Sequence, residues 1–131
     1  MDFNLTVDQI NELIDQNEWG KLREYLAEAN EVDIAALLEE LDNDKMLLVF
    51  RILPKDISAD VFSYMDPDQQ AHVVASISNH EVRTLIDHLF LDDTVDFLEE
   101  MPANVVTKVL QNTNEATRKL INQFLNYPDN S

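Results

Sequence analysis

The chain has 131 residues and a net charge of −17, from nine basic and twenty-six acidic residues, with no cysteine, one glycine and four prolines. That length fits one domain, and so little glycine and proline leaves no flexible linker to divide it. The charge argues against binding a nucleic-acid backbone or an anionic membrane surface, and the lack of cysteine excludes disulfides and thiolate metal sites.

Taken in chain order, the elements follow one ruler. The first two predicted helices, about 6–16 and 18–28, carry the apolar pairs Leu13-Ile14 and Tyr25-Leu26. Trp19, at their junction, reads as packing at the end of a stack. The next two, about 32–41 and 43–53, carry Leu37-Leu38 and Val49-Phe50. Helices over about 56–65 and 67–77 carry Val61-Phe62 and Val73-Val74. Those over about 80–89, 92–101 and 103–112 carry Leu85-Ile86, Phe97-Leu98 and Val109-Leu110. Each pair lies twelve residues after the one before it. A last helix, about 114–126, is expected to slip register by one residue, to Leu120-Ile121 and Phe124-Leu125, as a terminal repeat does.

The flanking slots keep the same phase. Ile10, Leu22, Ile34, Met46, Val82 and Val106 precede a pair by three residues; Leu41, Leu53, Met65, Ile77, Leu89 and Met101 follow its first member by four. The spacing i, i+3, i+4, i+7 is one stripe of an α-helix. Caps or breakers come next: Asn30, Asp42, Pro54, Asp66, Ser78, Pro102 and Asn114. Such residues bond free N–H groups or lack a donor, and so separate one helix from the next. Asp66-Pro67-Asp68-Gln69 and Ser78 to Glu81 both read as capping boxes.

Helices shorter than ~12–15 residues are marginal alone, so each must bury its stripe on neighbours. Paired twelve-residue units make hairpins, and stacked hairpins make a solenoid. The expected fold is all-α: a right-handed superhelical solenoid of about ten short helices in antiparallel hairpins, forming one domain over 1–131. No apolar run approaches the ~18–20 residues that span a bilayer. The opening MDFNLTVDQI lacks the basic and apolar regions of a signal peptide, so a soluble, cytosolic location is expected.

Catalytic chemistry has little support. There is no G-x-S-x-G elbow and no glycine-rich phosphate loop, and one glycine cannot build one. His72, His80 and His88 form no H-E-x-x-H and read as solvated. Glu39-Glu40 and Glu99-Glu100 share a slot of the ruler at helix C-termini, where the dipole mildly disfavours them; they read as solvated acidic ends. Leu91-Asp92-Asp93-Thr94-Val95-Asp96 is more pointed. Asp92 is a natural N-cap and first-turn acids suit the positive helix end. Yet Asp92 and Asp96 are like charges at i, i+4, and Asp93 and Asp96 at i, i+3, which a hard cation would relieve. Magnesium takes oxygen ligands, keeps several waters and meets one or two carboxylates per site, so such a site can straddle an interface.

The run Asp33-Ile34-Ala35-Ala36-Leu37-Leu38-Glu39-Glu40-Leu41-Asp42, then Leu53-Pro54, Ala59-Asp60-Val61, Met65-Asp66-Pro67, Leu91-Asp92-Asp93 and the closing Tyr127-Pro128-Asp129-Asn130-Ser131 resemble the amino-terminal cytosolic domain of MgtE-type magnesium transporters. The resemblance covers nearly the whole chain and is weakest before Asn30. It implies a superhelical domain that precedes paired CBS domains and a membrane pore, in a transporter that is a homodimer. It further implies that Mg2+ bridges acidic faces of this domain and the CBS domains when the ion is abundant, closing the pore. The family's ligand motifs map to Asp60, which stands where a longer Glu can occur, and to Asp92 and Asp96, with Asp93 beside them. Mg2+ affinity in the isolated domain is expected to be weak, because the other ligands are missing. The competing reading is a helical-repeat interaction scaffold like the middle region of the flagellar motor switch protein FliG. An acid–base enzyme with paired carboxylates is the weakest of the three.

Overall fold

The computed structural model describes residues 6–125. Ten α-helices follow one another: α1 (Val7–Asp15), α2 (Trp19–Glu28), α3 (Glu31–Glu39), α4 (Asn43–Ile52), α5 (Lys55–Tyr64), α6 (Pro67–Ser76), α7 (Asn79–His88), α8 (Leu91–Glu99), α9 (Ala103–Gln111) and α10 (Glu115–Phe124). No strand occurs among the described residues. Each predicted helix is present, with ends shifted by a few residues. The predicted continuation of the last helix to residue 126, and the Tyr127 to Ser131 tail, lie outside the described residues.

The ruler is a capping period as well as a core period. The N-caps are Thr6, Glu18, Asn30, Asp42, Pro54, Asp66, Ser78, Phe90, Pro102 and Asn114, always twelve residues apart. Thr6, Asn30, Asp42, Asp66, Ser78 and Asn114 accept a hydrogen bond from a backbone N–H of the first turn. Each satisfies a donor that the helix itself cannot. Ser78 and Glu81 form the reciprocal capping box. Asp66 instead accepts from the N–H of Asp68. Gln69 does not reach back to complete a box there, because its side chain is buried and donates from Nε2 to the Leu38 carbonyl at 2.7 Å. Between α1 and α2, Asn17 takes φ 56°, a left-handed conformation that asparagine tolerates. The N–H of Glu18 then bonds the Leu13 carbonyl at 2.9 Å and that of Asn17 the Ile14 carbonyl at 3.0 Å, which closes the helix end as a Schellman turn.

All eighteen residues of the nine apolar pairs are buried or half-buried. From α4 to α8 both members are buried, whereas α1, α2, α3 and α9 bury one and half-bury the other. That gradient is what a stack produces, since inner helices have neighbours on both sides. Helices pack chiefly on the next but one: α3 on α5, α5 on α7, α7 on α9, α4 on α6 and α8 on α10. At the centre, the fully buried Phe62 ring meets Phe50 edge-on at 6.1 Å and Phe97 at 4.9 Å.

One expectation is corrected. The last helix does not slip register. Ile121 and Leu125, at 0% and 5% exposure, occupy the slots that the twelve-residue period assigns. Leu120 and Phe124 turn outward instead, at 44% and 58% exposure. A register slip would have rotated α10 away from α8 and broken its cap at Asn114, which bonds the Thr117 N–H at 2.7 Å.

Candidate functional site

The acids singled out in the sequence sit on two helices. Asp60 lies in the middle of α5, and Asp92, Asp93 and Asp96 on α8. Asp92 is not the N-cap of α8. Phe90 holds that position and supplies no side-chain hydrogen bond, which leaves Asp92 and Asp93 inside the first turn. There they face the positive end of the helix dipole and stabilise N–H groups that no cap satisfies. Asp96 lies one turn further on.

Asp60, Asp92 and Asp96 are exposed and Asp93 is half-buried. Burial pushes the Asp93 carboxyl above its ordinary pKa, and the charges of Asp92, Asp96 and Asp60 push the same way. The chain folds so that an acid of α5 joins the electrostatic field of the α8 cluster. Among the described residues none of these four acids is paired with a cation; the ion pairs are Arg51–Glu81 and Lys119–Glu115.

Asp93 and Asp96 line a cleft of about 320 Å3 with Glu100 on the same side of α8, and with Ser63 and Gln70 from α5 and α6. Its floor is Phe62, Met65 and Phe97. Glu100, read from the sequence as a solvated helix end, thus belongs to the acidic face. The signal was in the spacing: positions 93, 96 and 100 follow i, i+3, i+7 along one helical stripe. Glu39 and Glu40 are exposed at the end of α3. His80 and His88 stand at opposite ends of α7, and the Nδ1 of His88 lies 2.8 Å from the Thr84 carbonyl.

The donor set is all carboxylate oxygen, which suits a hard divalent cation. Among the described residues, however, no three acidic or histidine side chains converge as a preformed metal site. A hard ion such as magnesium commonly meets only one or two carboxylates and keeps several waters.

Ten helices of nine or ten residues at a fixed period, with Asp60, Asp92, Asp93 and Asp96 sharing one electrostatic field, define a helical-repeat domain with an acidic patch. The MgtE intracellular N domain family matches residues 29–130, and the chain belongs to that family. It is 31% identical over 90 residues to the magnesium transporter MgtE of Thermus thermophilus, a match that covers 69% of this chain and 20% of that protein. The crystal structure of the cytosolic domain of the Mg2+ channel MgtE in complex with ATP superposes with a TM-score of 0.79 at 26% identity, over 94% of this chain and 51% of that one. The chain therefore spans a fifth of the length of the curated transporter it matches. No helix among the described residues is long and apolar enough to cross a membrane.

Proposed function

We propose that this domain is the cytosolic regulatory part of a magnesium transporter and senses intracellular Mg2+. Asp60, Asp92 and Asp96, with Asp93 beside them, hold the ion against acids of following CBS domains. Closure of the two faces then shuts a membrane pore in a homodimeric parent protein. The role is regulatory and involves no catalysis by the domain itself.

The observation that carries this reading is the unpaired acidic cluster around Asp93. Two like charges ~4 Å apart repel by about 1 kcal/mol in water, and by several times that at lower effective dielectric. Facing acidic surfaces thus stay apart until divalent ions screen them. Each ion contributes modestly, and several act together through one closure.

The test is a Mg2+ titration of the parent protein's full cytosolic region followed by small-angle scattering. The radius of gyration should fall at millimolar Mg2+, and an unchanged radius would count decisively against the proposal. The isolated domain should bind Mg2+ weakly by calorimetry; a tight stoichiometric site there would contradict a shared one.

A further inference from the structure

We propose that the outer face of α8 and α10 docks an amphipathic helix that carries lysine or arginine beside its apolar stripe and belongs to a partner protein. The core does not use this face. Ile121 and Leu125 complete the buried register of α10, yet Leu120 and Phe124, four apart on the same helix, are large apolar residues turned outward. Phe90, at the start of α8, is 71% exposed. It stands in a slot of the ruler where six of the other nine helices place a capping side chain, Thr6, Asn30, Asp42, Asp66, Ser78 or Asn114, and where Glu18, Pro54 and Pro102 make no cap bond. A phenyl ring there gives up a capping bond and gains little burial, so folding does not account for it.

Phe124 and Leu120 border concavities, while Phe90 stands beside them at the start of α8. Phe124 meets Leu91 and Val95 around a hollow of about 280 Å3, whose remaining lining is Asp92 and Asp96. Leu91 and Leu120 also line a second hollow, of about 210 Å3, between α7–α8 and α10. A groove with an apolar floor, used at i, i+3 and i+4 by a helix laid in it, is a recurring mode of peptide recognition.

Charge selects the occupant. Asp92 and Asp96 edge the groove and have no cationic partner among the described residues. A second copy of this chain would bring its own Asp92 and Asp96 against them, within a molecule of net charge −17. An anionic lipid surface is repelled likewise. A basic flank beside an apolar stripe satisfies both the floor and the rim. The rim acids Asp92 and Asp96 are shared with the Mg2+ reading, but the contacts of Leu120 and Phe124 are ones no metal ion makes, so changes at those two residues test the inference separately.

The probe is a synthetic helical peptide with leucines at i, i+3, i+4 and i+7 and lysines on both flanks, titrated into the labelled 131-residue chain by NMR. Saturable shifts confined to α8 and α10 are expected, weakened roughly tenfold or more by Leu120→Gln with Phe124→Gln, both outside the core. Asp92→Asn with Asp96→Asn should weaken binding and flatten its salt dependence. A peptide with glutamates in place of the lysines should not bind. Three results each overturn the proposal: no saturable binding, equal binding of the glutamate peptide, or affinity untouched by the Leu120 and Phe124 changes. So does a dimer in sedimentation that Phe124→Gln dissociates, which would assign the face to a second copy.

Discussion

Arg51, in the last turn of α4, grips Glu81 in the first turn of α7 through two hydrogen bonds, Nε to Oε2 at 3.2 Å and Nη2 to Oε1 at 3.1 Å. The same Glu81 carboxylate accepts the Ser78 N–H at 3.0 Å. One side chain thus completes the cap of α7 and ties it to a helix that is not its neighbour in sequence. Burial pushes the Glu81 carboxyl up, but the Ser78 N–H and the Arg51 guanidinium outweigh it and hold it below the ordinary value. The folded state therefore binds this proton less tightly than the unfolded chain. Stability from Glu81 is present above the unfolded pKa and is lost as pH falls through the folded one. Glu81→Ala should lower unfolding stability by about 1 kcal/mol at neutral pH, mostly through the cap, since an exposed ion pair contributes little. Urea titrations of both proteins should show the gap narrowing as pH falls below the ordinary carboxylate range; a gap independent of pH would mean the charge contributes nothing.

Phe62 is the keystone of packing. Its side chain is fully buried and its ring meets those of Phe50 and Phe97, so α4, α5 and α8 come together on one ring. Phe62→Ala should destabilise by about 3–5 kcal/mol, the transfer loss plus an unfilled cavity. Domains of this size hold only about 5–15 kcal/mol in all. Calorimetry should show a large fall in Tm. A change under ~1 kcal/mol would mean that the layers collapse onto each other without it.

The fold was legible because one period wrote both the core and the caps. Apolar pairs and capping residues repeat in phase, and local rules suffice to place helices that short. What failed was local as well. Leu120 and Phe124 mimic a core pair, and apolar character alone does not say which of two adjacent stripes faces inward. Asp92 looked like a cap because its type suits one, yet the period already assigned that slot to Phe90. Of the candidate site, the α8 cluster was readable from spacing within one helix. That Asp60 shares its field was not, because the approach of α5 to α8 is a matter of tertiary stacking. Glu100 was readable in principle, but a helix-end acid is ordinarily solvated and only the cleft shows which side it faces.

Phe90 offers a direct gain. Phe90→Ser would place a hydroxyl in the slot where Ser78 and Thr6 bond an N–H of the first turn, while removing a ring that is mostly in water. The expected outcome is a stabilisation of about 1 kcal/mol, read as a raised midpoint in urea with an unchanged slope. A loss of stability instead would show that the ring packs in solution and is no spare surface.

Under the proposed function the acids of α5 and α8 should affect the Mg2+ response in two opposing ways, and three variants separate them. Asp92→Asn with Asp96→Asn removes repulsion between facing surfaces, so the parent's cytosolic region should be more compact without Mg2+. The same change removes two proposed ligands, so the Mg2+ concentration that drives further closure should rise. Losing about 1.4 kcal/mol of coupling raises the midpoint about tenfold. Glu39→Gln with Glu40→Gln removes the same charge from the exposed end of α3, outside the acidic cleft. It should leave the midpoint nearly unchanged, because these two carboxylates are not among the proposed ligands and change only the general screening. Asp60→Asn should resemble the α8 pair and not the α3 pair, since its charge reaches Asp93. Scattering profiles against Mg2+ for the three variants decide the matter. Equal midpoints for all of them would reduce the acidic face to bulk electrostatics.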